Sequence, residues 1–219
     1  MKKLLAFFSV ILMAGSLYAK EVTLLMDWFP QGNQSGYWQA QFDNQYHDDV
    51  KITIKSGGPK INTTAAVASG QAEFGLQASD SVMLANSKGA GLKGIFVSLN
   101  HVPYTLVFHP NTGVNSVKDL DGRPFAVKMG VTYWKWVKHT YQLNAVKEFP
   151  LTGDLGLFAR TPQQFQQGYS LFLPARLAAK GVASEQITVE SLGYRPYSVL
   201  FTTDKLIKEN PELVQTVVD

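Results

Sequence analysis

The chain has 219 residues, 45% hydrophobic and 17% charged, with no cysteine and a formal net charge of +3. That length supports one large domain or two smaller lobes with real cores, and the composition is that of an ordinary globular chain with no low-complexity tract and no internal repeat. The lack of cysteine excludes disulfides, thiolate metal sites and cysteine nucleophiles.

Residues 1–19 carry Lys2 and Lys3, then an apolar run over 4–14, then small residues ending at Ala19. This is the pattern of a secretory signal peptide, with cleavage expected after Ala19 and a periplasmic location for the mature chain. No cysteine follows the run, so no lipid anchor is expected. Without Lys2 and Lys3, 18 basic residues face 17 acidic ones, and a nucleic-acid partner is disfavoured. No later stretch is long and apolar enough to span a membrane as a helix.

The first element of the remaining chain is the apolar run Val22, Leu24, Leu25 and Met26, which predicts a buried strand. It stops at Asp27-Trp28-Phe29-Pro30 and opens into a polar turn ending at Gly36. In open α/β sheets ligands bind beyond the carboxyl ends of the strands, so Trp28 is a candidate wall of a small-molecule site. Asp27 could orient a ligand amine or brace the Trp28 loop. Asn33, Gln34 and Ser35 could hydrogen-bond a ring, and are equally explained as turn residues.

Spacing of Trp38, Phe42 and Tyr46 predicts a helix over 37–46, and strict alternation predicts a strand over 50–55. Gly57-Gly58-Pro59 can bring backbone close to a ligand. A small-residue helix over 61–69, a strand over 74–76 and a helix over 81–88 follow, the last capped by Ser79 or Asp80. Strands are predicted over 92–99 and 104–108, one helical turn over 116–120, a strand over 125–128 and a helix over 133–143. Gly130, Val131 and Thr132 at that helix start offer free backbone N–H groups for a carboxylate, phosphate or ring atom, as do 77–80 before their helix. Ordinary capping explains both equally well.

Thr161-Pro162 predicts a further helix start, 169–173 a strand, 174–180 a helix, and 187–192 and 197–202 strands. Asn210-Pro211-Glu212 opens a last helix whose apolar face (Leu213, Val214, Val217, Val218) runs to Asp219 without a cap, as expected of a truncated chain or fragment. Alternating strands and helices predict an α/β fold. The four histidines lack metal-ligand spacing, and the one cluster, His47-Asp48-Asp49, reads as a solvated turn, so no metal is expected.

The segments DWFPQGNQSG, SGGPKINTTAAVASGQAEFGL, SVKDLDGRPFAVKMGVTYW, LTGDLGLFA, QQGY and TTDKLIKENPELVQ, in that order, resemble the thiamine-pyrimidine-biosynthesis-like (SsuA/THI5-like) solute-binding proteins of ABC importers. The likeness covers essentially the whole chain after residue 19. It implies a two-lobed type II periplasmic-binding-protein fold, with lobe one over 20–100 and 196–219 and lobe two over 101–195. It also implies hinge closure on a small heteroaromatic ligand, a monomer, and partners in an ABC permease and ATPase.

Under that reading Trp28 and Trp38 approach the cleft from one side and Trp134 and Trp136 from the other, with Trp38 and Trp136 expected in helix cores. Trp28 and Tyr133 are expected on the ligand. Ligand-binding candidates are thus Asp27, Trp28, Asn33, Gln34, Ser79, Gly130, Thr132, Tyr133 and Tyr169, the last matching the family's QQGY. No cofactor and no catalytic residue are expected. Leu173 stands where the family commonly has a Glu-Pro pair, which points to a ligand smaller or less basic than an aminopyrimidine. Thiamine pyrimidine synthases also resemble the chain. They carry a histidine where Gln34 stands and need a cysteine-rich iron motif, so an enzyme is disfavoured. Sulfonate or riboflavin-precursor receptors, and a receptor serving a membrane sensor, remain open.

Overall fold

A computed structural model describes residues 20–43 and 50–219. The predicted signal peptide and the His47-Asp48-Asp49 cluster lie outside the described residues, as does the end of the helix predicted over 37–46.

In chain order the elements are β1 (Lys20–Leu25), α1 (Ser35–Phe42), β2 (Val50–Lys55), α2 (Thr63–Ala68), β3 (Phe74–Ala78), α3 (Ser79–Asn86) and β4 (Leu92–Leu99). Then come β5 (Tyr104–Phe108), β6 (Pro124–Val127), α4 (Thr132–Tyr141), β7 (Lys147–Pro150), α5 (Gly156–Arg160), β8 (Phe165–Tyr169), α6 (Leu173–Ala178) and β9 (Glu185–Thr188). The chain closes with β10 (Ser198–Thr203), α7 (Asp204–Glu209) and α8 (Pro211–Val218).

The strands form two five-stranded mixed sheets. The first has the order β2-β1-β3-β10-β4 and the second β7-β6-β8-β5-β9. In the first, β1 runs parallel to β2 and β3, while β10 lies antiparallel between β3 and β4. In the second, β6 runs parallel to β7 and β8, and β5 is antiparallel to β8 and β9. The chain leaves the first sheet after β4 and returns to it at β10. The two connections touch where Val102 N donates to Pro196 O at 2.7 Å.

Sequence pattern explains the layers. β2 alternates as VKITIK, and Val50, Ile52 and Ile54 turn into a core with Val22, Leu24, Met26, Phe74, Leu76 and Leu200. Strand β5, YTLVF, is buried at every residue, as its inner place in the second sheet requires. Leu106, Phe108, Phe125, Val127, Trp134, Val137 and Phe165 build the second core. Asn62 caps α2, its Oδ1 accepting from Ala65 N at 3.1 Å.

The helix predicted from Thr161-Pro162 does not form, and the strand predicted over 169–173 lies earlier, as β8. Gln164, Phe165, Gln166 and Gln167 are all buried there. Gln164 Nε2 donates to Gln166 Oε1 at 3.3 Å, and Gln167 Oε1 accepts from Lys128 N at 2.8 Å. These bonds satisfy polar side chains in an inner strand, and that disguises its apolar pattern. Strand β9 ends at Thr188, short of the predicted Leu192, because a turn follows in which Ser191 Oγ donates to Thr188 O. Strand β7 and helices α5 and α7 were not expected. Neither Ser79 nor Asp80 caps α3: Ala78 is the N-cap, and Ser79 is the first helical residue.

Candidate ligand-binding cleft

The carboxyl ends of β1, β3, β6, β7 and β8 converge on one cavity of about 1030 Å³ between the two sheets. Residues from the first side include Asp27, Trp28, Phe29 and Gln77; from the second, Lys128, Thr132, Leu151, Tyr169, Phe172 and Leu173.

Asp27 is the polar centre of the floor. It is 8% exposed, and its Oδ1 accepts from Gln34 Nε2 at 2.9 Å while its Oδ2 accepts from Tyr169 OH at 3.4 Å across the cleft. Burial pushes its carboxyl above the usual range, against the opposing pull of the Lys128 ammonium and the Gln34 bond. Lys128 Nζ donates to Asp27 O at 3.4 Å and lies 5.4 Å from the centre of the Trp28 ring. Burial lowers the Lys128 pKa, and Asp27 opposes that shift.

The Trp28 loop is braced from behind. Gly57 N donates to Trp28 O at 3.1 Å, and a Cβ at Gly57 would stand 2.2 Å from Met26 O. Only a residue without a side chain permits that approach. At the mouth Phe29, 46% exposed, reaches toward Gly153 of the second side, and Phe172 lies against Gly32 of the first.

Of the residues singled out in the sequence, Asp27, Trp28, Gly130, Thr132 and Tyr169 line the cavity. Gln34 does not. It is wholly buried behind Asp27, and its Oε1 accepts from Trp38 Nε1 at 3.5 Å. Asn33 lies beside it in the Gly32–Gln34 3₁₀ turn, away from the cavity lining, with its Oδ1 buried and without a partner among the described residues. Ser79 serves the returning chain: its N–H donates to Tyr197 O and its Oγ accepts from Tyr197 N.

Tyr133, expected on the ligand, is fully buried and stacks on Tyr104 at 4.3 Å between ring centres. It is a core residue because the first turn of α4 points it at β5. Trp134, expected near the cleft, packs edge-on against Phe125 in the same core. Trp38 and Trp136 pack partly buried against the first and second cores. Trp28 is therefore the one tryptophan of the chain that lines the cavity.

Sequence reasoning missed Lys128, Tyr104 and Phe172. Lys128 follows its strand as Asp27 follows β1, and that shared position was the available signal. Thr132 opens α4, and its Oγ1 lies 3.5 Å from Ser81 Oγ of the first side. Tyr194 OH donates to Asp80 Oδ2 at 2.8 Å near the returning connection. Among the described residues no three His, Asp or Glu side chains are grouped to hold a metal ion.

The NMT1/THI5-like family model matches residues 33–148, more than half of the chain. The chain belongs to this family. A curated relative, the 4-amino-5-hydroxymethyl-2-methylpyrimidine phosphate synthase of Legionella pneumophila, is 29% identical over 112 residues, 51% of this chain and 35% of the relative. The chain thus spans about a third of that relative's length.

Solved structures share the fold. The periplasmic aliphatic sulphonate binding protein SsuA of Escherichia coli superposes with a TM-score of 0.61 at 14% identity, over 91% of this chain and 66% of that one. The alkanesulfonate-binding protein SsuA of Xanthomonas axonopodis pv. citri gives 0.68 at 16% identity, over 91% and 72%. A Candida albicans protein described as having the generic periplasmic binding protein fold gives 0.64 at 10% identity, over 91% and 68%. The two sheets are the two lobes of that fold.

Proposed function

We propose that this protein is the extracytoplasmic solute receptor of an ABC importer, closing its two lobes on a small planar heteroaromatic molecule of the thiamine-precursor pyrimidine type. The single observation that carries this reading is the placement of Trp28 and Tyr169 on opposite sides of one cavity between the lobes. An aromatic face suits a flat ring, with stacking worth about 0.5–1.5 kcal/mol beyond area burial. A cavity of about 1030 Å³ exceeds what such a ligand needs when the lobes are apposed, so further closure on binding is part of the proposal. The connections at 100–103 and 189–197 serve as the hinge. The protein acts as a monomer toward ligand and toward a permease and its ATPase, with residues 1–19 as the export signal.

The synthase reading rests on the Legionella relative. Against it stands Gln34, wholly buried behind Asp27, at the position where the synthases carry histidine. That side chain orients the carboxylate and does not face the cavity.

Calorimetric titration of the purified protein with aminopyrimidines, flavin precursors and sulfonates tests the receptor reading. An aminopyrimidine or flavin precursor binding without turnover supports it. Binding of aliphatic sulfonates alone would refute the heteroaromatic ligand, and chemical conversion of a bound compound would restore the enzyme.

A further inference from the structure

The charge of the cavity is one-sided. Lys60, Lys88, Lys128, Lys135 and Arg176 line it, against a single carboxylate, Asp27. Asp27 is already held by Gln34 and Tyr169. None of the ion pairs among the described residues uses any of the five cations. Four of them are exposed, while Lys128 is half-buried beside the floor.

Lys128 is a part-buried cation whose opposing charge is the buried Asp27 carboxylate, already bonded to Gln34 and Tyr169. Among the described residues its ammonium has one hydrogen-bond acceptor, the Asp27 carbonyl at 3.4 Å. An ammonium carries three donors, so two are open to a ligand's acceptor oxygens. Taking a cation part-way out of water is favourable only where an opposing charge or acceptors answer it. Leu151, Leu155 and Leu173 of the second lobe line the same cavity without charge, and the Oε1 atoms of Gln166 and Gln167 already accept from Gln164 Nε2 and Lys128 N.

We infer that the ligand carries an anionic group, a carboxylate, sulfonate or phosphate monoester, and that Lys128 binds it beside the Trp28 ring. The exposed cations around it raise the local concentration of such anions and speed encounter, while Lys128 sets the preference. The inference rests on the receptor reading, and it names the chemical class that receptor selects.

The test is calorimetry of wild type, Lys128→Met and Lys128→Arg with matched probes. The pairs are benzoate and benzamide, benzenesulfonate and benzenesulfonamide, and pyridoxine 5′-phosphate and pyridoxine; benzylamine is the cation and ethanesulfonate the ring-free anion. Among probes that bind, the charged member of a pair should bind about tenfold or more tighter than its neutral partner, as expected for a charge-assisted bond. Lys128→Met should remove most of that preference, and Lys128→Arg should keep it.

Equal or tighter binding of the neutral members or of benzylamine overturns the inference and leaves the receptor reading intact. So does a preference that survives in Lys128→Met. Binding of no probe of any charge overturns the receptor reading, and the inference with it. Should Lys128→Met fail to fold, the wild-type pairs and the arginine variant still decide.

Discussion

The amide of Gln34 donates to Asp27 Oδ1 at 2.9 Å, and both side chains are buried. This bond ties the 3₁₀ turn Gly32–Gln34 to the end of β1 and fixes the carboxylate that Tyr169 reaches from the other lobe. It makes Gln34 a positioning residue.

Gln34→Leu should destabilise the protein by about 1–3 kcal/mol, because it strands one buried carboxylate oxygen and the Trp38 N–H. The midpoint of urea unfolding measures it. An unchanged midpoint would mean that the turn relaxes and rehydrates the carboxylate.

Asp27 gives a pH dependence with a definite sign. Burial raises its native pKa above the unfolded value, so the native state keeps this proton to higher pH. The stability tied to that proton is fully present below the unfolded carboxylate pKa and is lost as pH rises through the raised native value. Asp27→Asn cannot ionise, so it should melt higher than wild type at neutral pH. That advantage should shrink on acidification. Melting curves of both proteins across pH check this, and an advantage that grows toward acid would contradict it.

Gly57→Ala should cost about 3 kcal/mol, since the new Cβ would fall 2.2 Å from Met26 O and 2.6 Å from the Asp27 carbonyl carbon. The backbone of β1 cannot yield without moving the Trp28 loop. Ligand affinity should fall along with the melting temperature.

Much of this was legible in the sequence because the informative residues follow strands. VKITIK and YTLVF announce their layers, and the run ending in Asp27-Trp28 places both at a strand end, where the cavity lies. What misled was polarity inside a strand and aromaticity inside a helix. Gln164, Gln166 and Gln167 satisfy one another or nearby backbone, so β8 lacked a hydrophobic signature. Tyr133 and Trp134 sit at a helix start like ligand contacts, yet both turn inward, because α4 packs its first turn on β5 and β6. The cavity's excess of cations comes from residues far apart in the chain, and net charge hides it.

Trp28→Ala should weaken ligand binding by about tenfold, on loss of the aromatic face, with a change in stability below ~1 kcal/mol since the side chain is only partly buried. Calorimetry and thermal melting, read together, separate the two. A large fall in melting temperature with unchanged affinity would make Trp28 a core residue.

In the receptor reading, ligand binds between the lobes against Trp28. Because Trp38, Trp134 and Trp136 do not line the cavity, tryptophan fluorescence reports on Trp28 alone at the site. The most direct measurement is a fluorescence titration of wild type and Trp28→Phe with the tightest-binding compound found by calorimetry. Wild type should show a saturable change that is lost in Trp28→Phe, although calorimetry still detects binding by the variant. An undiminished signal in Trp28→Phe would place the ligand elsewhere and contradict that reading.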